Sequence, residues 1–192
     1  MDKGKYAHVS LKGALLVGFW FLLRSIEYLA EDDGFFNPER SLTWADVIPR
    51  KQGKVLTLAE LPEMDEMSLV LFSDKNSLST CTRTISESER NEQQAQEFLE
   101  RLNPYLDTTA AGWSPADLRE ATSVCPVKAV KDLFVAFRRE YKRDPFRHEA
   151  VFTKAEGIAY MRKDITAILR KAAGACNIPE GRVASHSLRR GG

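Results

Sequence analysis

A nearly unbroken apolar stretch close to the N-terminus constrains this chain more than any other feature. Residues 10–31 carry apolar side chains almost all the way round a helical projection, a pattern typical of a helix buried on most of its sides. The most apolar run, residues 14–23, is followed directly by Arg24. A bilayer span needs about 20 apolar residues, so this shorter run predicts a buried helix and no membrane anchor.

Arg24 is the conspicuous polar residue of this segment. An arginine within so apolar a helix needs a partner, because an unpaired buried charge destabilises the folded state. Glu27, three residues further along, is one candidate partner. A phosphate group of a ligand is another, and the pattern leaves both open.

The composition is that of one medium-sized globular domain. The chain has 192 residues, of which 43% are hydrophobic and 29% are charged, and this balance excludes a disordered protein. The three cysteines are widely spaced and form no Cys-x-x-Cys pair. They fit a reducing, intracellular compartment and predict neither a disulfide framework nor a zinc site.

A net charge of +1 conceals an uneven distribution of charged residues. Residues 128–192 contain 15 Lys and Arg against 7 Asp and Glu, whereas residues 1–127 contain 13 against 20. The basic C-terminal third is suited to a polyanion, although solvated helix faces would give the same count. Charge alone therefore does not choose between these interpretations.

The periodicity of the sequence predicts an α+β fold that is mainly helical. Three short strands, over residues 41–48, 68–72 and 80–85, predict a small antiparallel three-stranded sheet with a polar hairpin between the last two. Helices are expected at 86–102, 126–139 and 158–173, and a last one from about residue 185.

Basic groups recur at places where they can serve chemistry. Arg24 lies in the apolar segment, Lys75 at the tip of the polar hairpin, and His186 with Arg189 in one terminal turn. Two arginines on one phosphate would stabilise the charge of a pentacoordinate transition state. A hairpin lysine can protonate a leaving oxygen, and a neighbouring histidine can manage the proton of a nucleophile. Lys54 is an alternative to Lys75 for the hairpin lysine.

Four segments in this order resemble the catalytic domain of the tyrosine recombinases, the phage-integrase type of DNA breaking–rejoining enzyme. They are LLRSIEYL at 22–29, LTWADV at 42–47, CPVKAV at 125–130 and SHSLRRGG at 185–192. The first and the last are closest in style to recombinases of eukaryotic mobile elements, such as the DIRS-like and Crypton groups. The likeness extends over nearly the whole chain.

The resemblance implies a metal-free and cofactor-free transesterification on DNA. Arg24 and Arg189 would bind the scissile phosphate, and Lys75 would protonate the 5′-oxygen. His186 would handle the proton of an attacking tyrosine, which forms a 3′-phosphotyrosine intermediate. The implied partner is double-stranded DNA, with a homo-oligomer assembled on it, and the implied location is wherever the DNA is, the nucleus in a eukaryote. Further DNA contacts are expected from five basic side chains: Arg138, Arg139, Lys142, Arg143 and Arg190.

The chain also departs from the family pattern. The family's tyrosine lies C-terminal to the second arginine box, and none of the five tyrosines here stands at a matching place. A DNA-clamping domain before the first box is also missing, and residues 86–123 form a longer insertion than the family pattern suggests. We therefore expect residues 1–192 to be a partial, C-terminally truncated catalytic domain that is inactive alone. The alternatives are a non-catalytic DNA-binding remnant and a helical protein-interaction domain.

Overall fold

A computed structural model describes residues 3–21, 23–72, 80–86 and 125–175, together with residues 177, 179, 181 and 184. This part of the chain contains three α-helices and one antiparallel sheet. The elements in chain order are α1 (Lys3–Trp20), β1 (Val47–Lys51), β2 (Lys54–Val55), β3 (Glu66–Phe72), β4 (Thr80–Ser86), α2 (Pro126–Tyr141) and α3 (Arg162–Ala175). The helices predicted at 86–102 and from residue 185 lie outside the described residues.

The first helix is less buried than predicted, since Ala14 and Val17 are buried but Leu11, Leu15 and Trp20 only partly so, and its bounds differ from the prediction of residues 10–31. It begins at Lys3 and ends at Trp20, and the chain then folds back along it. The return path brings the Tyr28 ring onto Gly18, where an added Cβ would lie 2.6 Å from the Tyr28 hydroxyl oxygen. The missing side chain at Gly18 allows this close approach. None of the described helices is long and apolar enough to cross a membrane.

The sheet has four strands in the order β2-β1-β3-β4, which corrects the prediction of three. The additional strand β2 has only two residues and returns from β1 through Gln52 and Gly53, both with positive φ. Two residues in this conformation form the tight turn that suits the twist of a hairpin. The predicted strands at 68–72 and 80–85 are confirmed as parts of β3 and β4.

The strand predicted at 41–48 starts later, because a 3-10 turn (Trp44–Asp46) precedes β1. The Asp46 carboxylate closes this turn by accepting hydrogen bonds from the backbone N–H (2.8 Å) and the hydroxyl (2.6 Å) of Thr43. Extended structure therefore begins only at Val47. Trp44 itself is buried against the rings of Phe134 and Phe137, so it belongs to the core.

The second helix agrees closely with its prediction. Pro126 occupies its first turn, where a missing N–H costs nothing, and an apolar face turns inward. The third helix was predicted to start at residue 158 but starts at Arg162. Before it, Ala159 pairs with Thr153 and Met161 pairs with Ala30 in isolated β-bridges, which keep the chain extended. The Asp164 carboxylate then accepts the Met161 N–H at 2.9 Å and caps the helix.

Candidate functional site

Arg24 does not lie within a helix, which corrects the sequence prediction. Its backbone is extended, with φ −74° and ψ 144°, and it stands directly before a 3-10 turn (Ser25–Glu27). Its residue is half-buried. Arg24 is therefore the junction between the end of α1 and the segment that folds back.

Glu27 contacts the backbone of Arg24. The Glu27 carboxylate accepts a hydrogen bond from the Arg24 N–H, and the Arg24 carbonyl accepts the Glu27 N–H at 2.8 Å. These two bonds close one turn and hold the Arg24 backbone. No ion pair joins the two side chains, and within the described part of the chain the Arg24 guanidinium has no carboxylate partner.

The edge strand β4 lies beside the segment that leads to Arg24. A guanidinium nitrogen of Arg83, in the middle of β4, donates a hydrogen bond to the Phe21 carbonyl. Thr80, at the hairpin end of β4, is three residues before Arg83, a distance on the order of 10 Å along the strand. Because Phe72 pairs with Thr80, residues 73–79 connect β3 to β4 at this end. Lys75 belongs to that connection and lies outside the described residues.

Lys54, the alternative lysine, lies at the far corner of the sheet. It belongs to β2, the edge strand opposite β4. Because Arg50 pairs with Glu66, the turn between β1 and β2 is at the end of the sheet where β3 begins. The β3–β4 connection is at the other end, where β1 begins. The Arg24 turn is also near that end, since the Leu42 N–H, five residues before β1, donates to the Glu27 carbonyl at 2.8 Å.

Three of the predicted site residues lie in one segment outside the described residues: His186, Arg189 and Arg190. The structure consequently shows one arginine of the expected pair and the sheet that carries the hairpin. Arg24 is the one expected catalytic residue that lies among the described residues. Its convergence with Lys75, His186 and Arg189 stays a prediction.

The tyrosines described by the structure serve the core. Tyr6, Tyr28 and Tyr160 are buried. Burial raises the pKa of all three phenols, that of Tyr160 to about 12, so their nucleophilic phenolate forms are disfavoured. The half-buried Tyr141 donates to the Ala155 carbonyl at 3.0 Å. None of these four side chains is presented as a nucleophile.

The basic cluster around the end of α2 is partly neutralised within the chain. Arg138 pairs with Asp144 at 2.9 Å. Arg143 forms two hydrogen bonds with the Glu149 carboxylate, at 2.9 and 2.5 Å, which raise the pKa of Arg143 and lower that of Glu149. Arg139 and Lys142 were also expected to contact DNA. Both are exposed, and neither has an ion pair among the described residues.

This basic cluster lies far from Arg24. Helices α1 and α2 are antiparallel, because the Tyr6 ring meets the Tyr141 ring at 5.5 Å and an added Cβ on Gly13 would lie 3.6 Å from Leu133. Arg24 follows the end of α1, near the start of α2. Arg138 is twelve residues further along α2, or about 18 Å at 1.5 Å per residue. The two regions therefore lie towards opposite ends of α2.

Other chemistry is sparse in the described part of the chain. No group of three or more His, Cys, Asp or Glu side chains there could hold a metal ion. Sequence reasoning missed one feature, a pocket beside Arg143 whose walls come from three separate segments. Its aromatic residues were visible in the sequence, but no local pattern brings Phe36 next to Tyr141.

Comparisons with known proteins identified no relative of this chain. No protein-family model matches the chain, and searches of the curated proteins and of the solved structures found no match either. The functional assignment therefore depends on the residues themselves.

Proposed function

We propose that this chain is part of a DNA strand-transfer enzyme of the tyrosine-recombinase type. The observation that carries the proposal is the state of Arg24. Glu27 holds the Arg24 backbone, and the guanidinium is without an ion pair in the described part of the chain. A half-buried arginine held in this way is suited to a phosphate oxygen, because charge-assisted hydrogen bonds gain strength when both groups leave bulk water.

The sheet supports the choice of Lys75 as the acid. The connection between β3 and β4 emerges at the end of the sheet nearest the Arg24 turn, whereas Lys54 lies at the diagonally opposite corner. We therefore propose Lys75 for the role of the hairpin lysine. Lys54 lies on the opposite edge of the sheet, three inter-strand spacings or about 14 Å from β4.

In the proposed reaction the chain binds the scissile phosphate with Arg24 and Arg189. A tyrosine hydroxyl attacks phosphorus, and His186 assists the loss of its proton. The bond from phosphorus to the 5′-oxygen breaks, and Lys75 gives that oxygen a proton. The new phosphotyrosine ester retains the free energy of the phosphodiester, so rejoining needs no cofactor. In this proposal the attacking tyrosine is none of the four described here.

The test is binding of a short labelled duplex DNA by Arg24 variants. Arg24→Ala should weaken binding about tenfold and reduce the slope of log affinity against log salt by about one, since one phosphate contact is lost. Arg24→Lys should retain part of the affinity, because it keeps the charge without the planar fork. Arg40→Ala is the matched control, as Arg40 is exposed and no contact of its side chain is seen among the described residues.

The outcomes separate the competing functions. If Arg24→Ala behaves like Arg40→Ala while wild-type binding stays salt-dependent, the chain is a DNA-binding module without the proposed phosphate site. If the wild type does not bind DNA, a protein-interaction domain is favoured. Urea unfolding of each variant checks the fold, and a structural role wins if Arg24→Ala lowers stability and Arg24→Lys does not restore DNA binding. A covalent adduct with a nicked suicide substrate would contradict the expected inactivity.

A further inference from the structure

Arg83 joins strand β4 to the end of α1. It pairs with the buried Leu69 of β3, and because directly opposite residues share a face of a sheet, its side chain starts on the core face. From there a guanidinium nitrogen donates a hydrogen bond to the carbonyl of Phe21, 62 residues earlier in the chain. Phe21 is buried and directly follows α1. The bond therefore connects two elements that are distant in sequence, at a point three residues before Arg24.

The Phe21 carbonyl lies just beyond the last turn of α1. The N–H groups of this region bond further back, from Phe21 to the Val17 carbonyl and from Leu23 to the Gly18 carbonyl, both at 3.0 Å. Carbonyls at a helix C-terminus carry partial negative charge, and arginine is a favourable partner for them. Because this partner belongs to a strand, the bond fixes where the end of α1 lies relative to the sheet.

The guanidinium of Arg83 is not drawn to any carboxylate in the described part of the chain. No ion pair there includes Arg83. The bond to the Phe21 carbonyl is the only polar contact of its side chain seen among those residues. The carbonyl thus determines the position of the guanidinium, and the guanidinium in turn holds the carbonyl.

The chain is held on both sides of Arg24. Before it, Arg83 binds the Phe21 carbonyl, and after it, the Glu27 carboxylate accepts the Arg24 N–H. Three residues span at most about 11 Å, so Phe21 cannot move far without a change close to Arg24. The side chain of Leu23, between the two, is buried and leaves little room to absorb such a displacement.

We propose that Arg83 is a positioning residue for Arg24. The inference rests on the proposed phosphate-binding role of Arg24. By holding the Phe21 carbonyl, Arg83 keeps the Arg24 segment in one arrangement before DNA binds, so less conformational freedom is lost on binding. The same bond keeps β4 and the Arg24 segment at a fixed separation.

Two other roles for Arg83 lead to different expectations. A guanidinium that itself contacts a DNA phosphate contributes to affinity independently of Arg24. A guanidinium that only caps the end of α1 contributes to stability and not to DNA binding. A positioning residue, in contrast, affects DNA binding only while Arg24 is present.

A double-mutant cycle on the full chain, with a short labelled duplex DNA, distinguishes these roles. Arg83→Ala should weaken binding about three- to tenfold, yet change the affinity of Arg24→Ala by less than about twofold. The double variant should keep the salt slope of Arg24→Ala, because no second phosphate contact is lost. Independent effects, with a slope reduced by about two in the double variant, would overturn the positioning role in favour of a direct contact.

Arg50 is the matched control. It is half-buried in β1 and also donates to a backbone carbonyl, that of Gly53 at 3.3 Å. Arg50→Ala should lower stability in urea and leave DNA affinity within about twofold of wild type, since its bond holds a different turn. Arg83→Lys, which retains a cationic donor, should restore part of the DNA affinity when Arg24 is present.

The outcomes separate this inference from the proposed function. If Arg83→Ala lowers stability alone, as expected for Arg50→Ala, Arg83 is a helix cap and the positioning role fails while the phosphate site stands. If Arg24→Ala leaves DNA binding unchanged, the phosphate site fails and the positioning role fails with it.

Discussion

The Glu27 carboxylate accepts the backbone N–H of Arg24, so a side chain that could have neutralised this arginine positions it instead. The charge of Arg24 then has no counterpart within the described residues. From the spacing Arg-x-x-Glu alone, Glu27 could either neutralise the Arg24 guanidinium or hold the Arg24 backbone. In the structure it holds the backbone. This contact makes Glu27 a positioning residue for the proposed phosphate site.

Replacement of Glu27 should therefore affect DNA binding through Arg24. Glu27→Gln keeps an oxygen that can accept the Arg24 N–H, and we expect DNA affinity within about twofold of wild type, since the acceptor remains. Glu27→Ala removes the acceptor and should lower both stability, by about 1 kcal/mol, and DNA affinity. Fluorescence anisotropy and urea unfolding measure the two effects. Equal DNA affinity for all three proteins would contradict the positioning role.

The close contact of Gly18 with Tyr28 predicts a strong and specific coupling. Gly18→Ala places a methyl group 2.6 Å from the Tyr28 hydroxyl oxygen and 2.8 Å from its ring carbon Cζ. We expect a loss of about 2–3 kcal/mol in the free energy of unfolding, because the helix and the returning segment must move apart. Gly13→Ala, whose added carbon would lie 3.2 Å from a ring carbon of Phe152, should cost less and is the comparison.

Tyr28→Phe completes this test. The Tyr28 hydroxyl is buried and has no hydrogen-bond partner among the described residues. Its removal should therefore leave stability unchanged or raise it by about 1 kcal/mol, because an unsatisfied buried hydroxyl is unfavourable. In the double variant the cost of Gly18→Ala should fall, though not to zero, since Cζ remains close. Additive effects of the two changes in urea unfolding would rule out the contact.

These contacts explain why the sequence predicted some elements and not others. α2 was predictable because Pro126 marks its start and one face is regularly apolar. The end of α1 was not, because the apolar pattern continues past Trp20 while the chain turns back onto Gly18, a contact distant in sequence. β2 was missed because a two-residue strand has no periodicity. The pocket beside Arg143 likewise depends on contacts that no local pattern encodes.

The sequence was sufficient to predict which residue types form the candidate site, but not their backbone conformation or their charge partners. The sequence singled out Arg24 but placed it inside a buried helix with Glu27 or a phosphate as partner. The fold instead gives it an extended backbone and leaves the guanidinium without an ion pair in the described region. For the basic cluster the difference arises from side chains beyond α2. Asp144 and Glu149 neutralise Arg138 and Arg143, and neither pairing follows from helical spacing.

The ion pair of Arg143 and Glu149 predicts a dependence of stability on pH. The hydrogen bonds from Arg143 lower the pKa of Glu149 below its unfolded value. The pair therefore contributes its full stabilisation above the unfolded pKa of about 4.3, and the contribution is lost as the pH falls through the lower, folded pKa. Glu149→Gln should accordingly lose stability at pH 7 and approach the wild type near pH 2. Urea midpoints at several pH values measure this.

Asp32→Asn is the control for that experiment. Asp32 also has a lowered pKa, because of its hydrogen bond with Arg162, but the pair is exposed. An exposed ion pair contributes little to stability, so the variant should follow the wild-type pH profile closely. If the difference in stability between Glu149→Gln and the wild type is the same from pH 7 to pH 2, the loss of stability has a cause other than the titration of the carboxylate.

The turn between β1 and β2 predicts stability changes of opposite sign at adjacent residues. Gln52 has φ 51° and Gly53 has φ 76°, and both conformations are strained for residues other than Gly and Asn. Gln52→Asn should raise the free energy of unfolding by about 0.5 kcal/mol, while Gly53→Ala should lower it by about 1 kcal/mol. Space is not the cause, because nothing lies within 4 Å of an added Cβ on Gly53. The Gln52 N–H keeps its bonds to the Asp65 carboxylate in both variants, so urea unfolding reports the turn conformation. Equal stability of Gly53→Ala and wild type would show that this hairpin does not hold its positive φ angles.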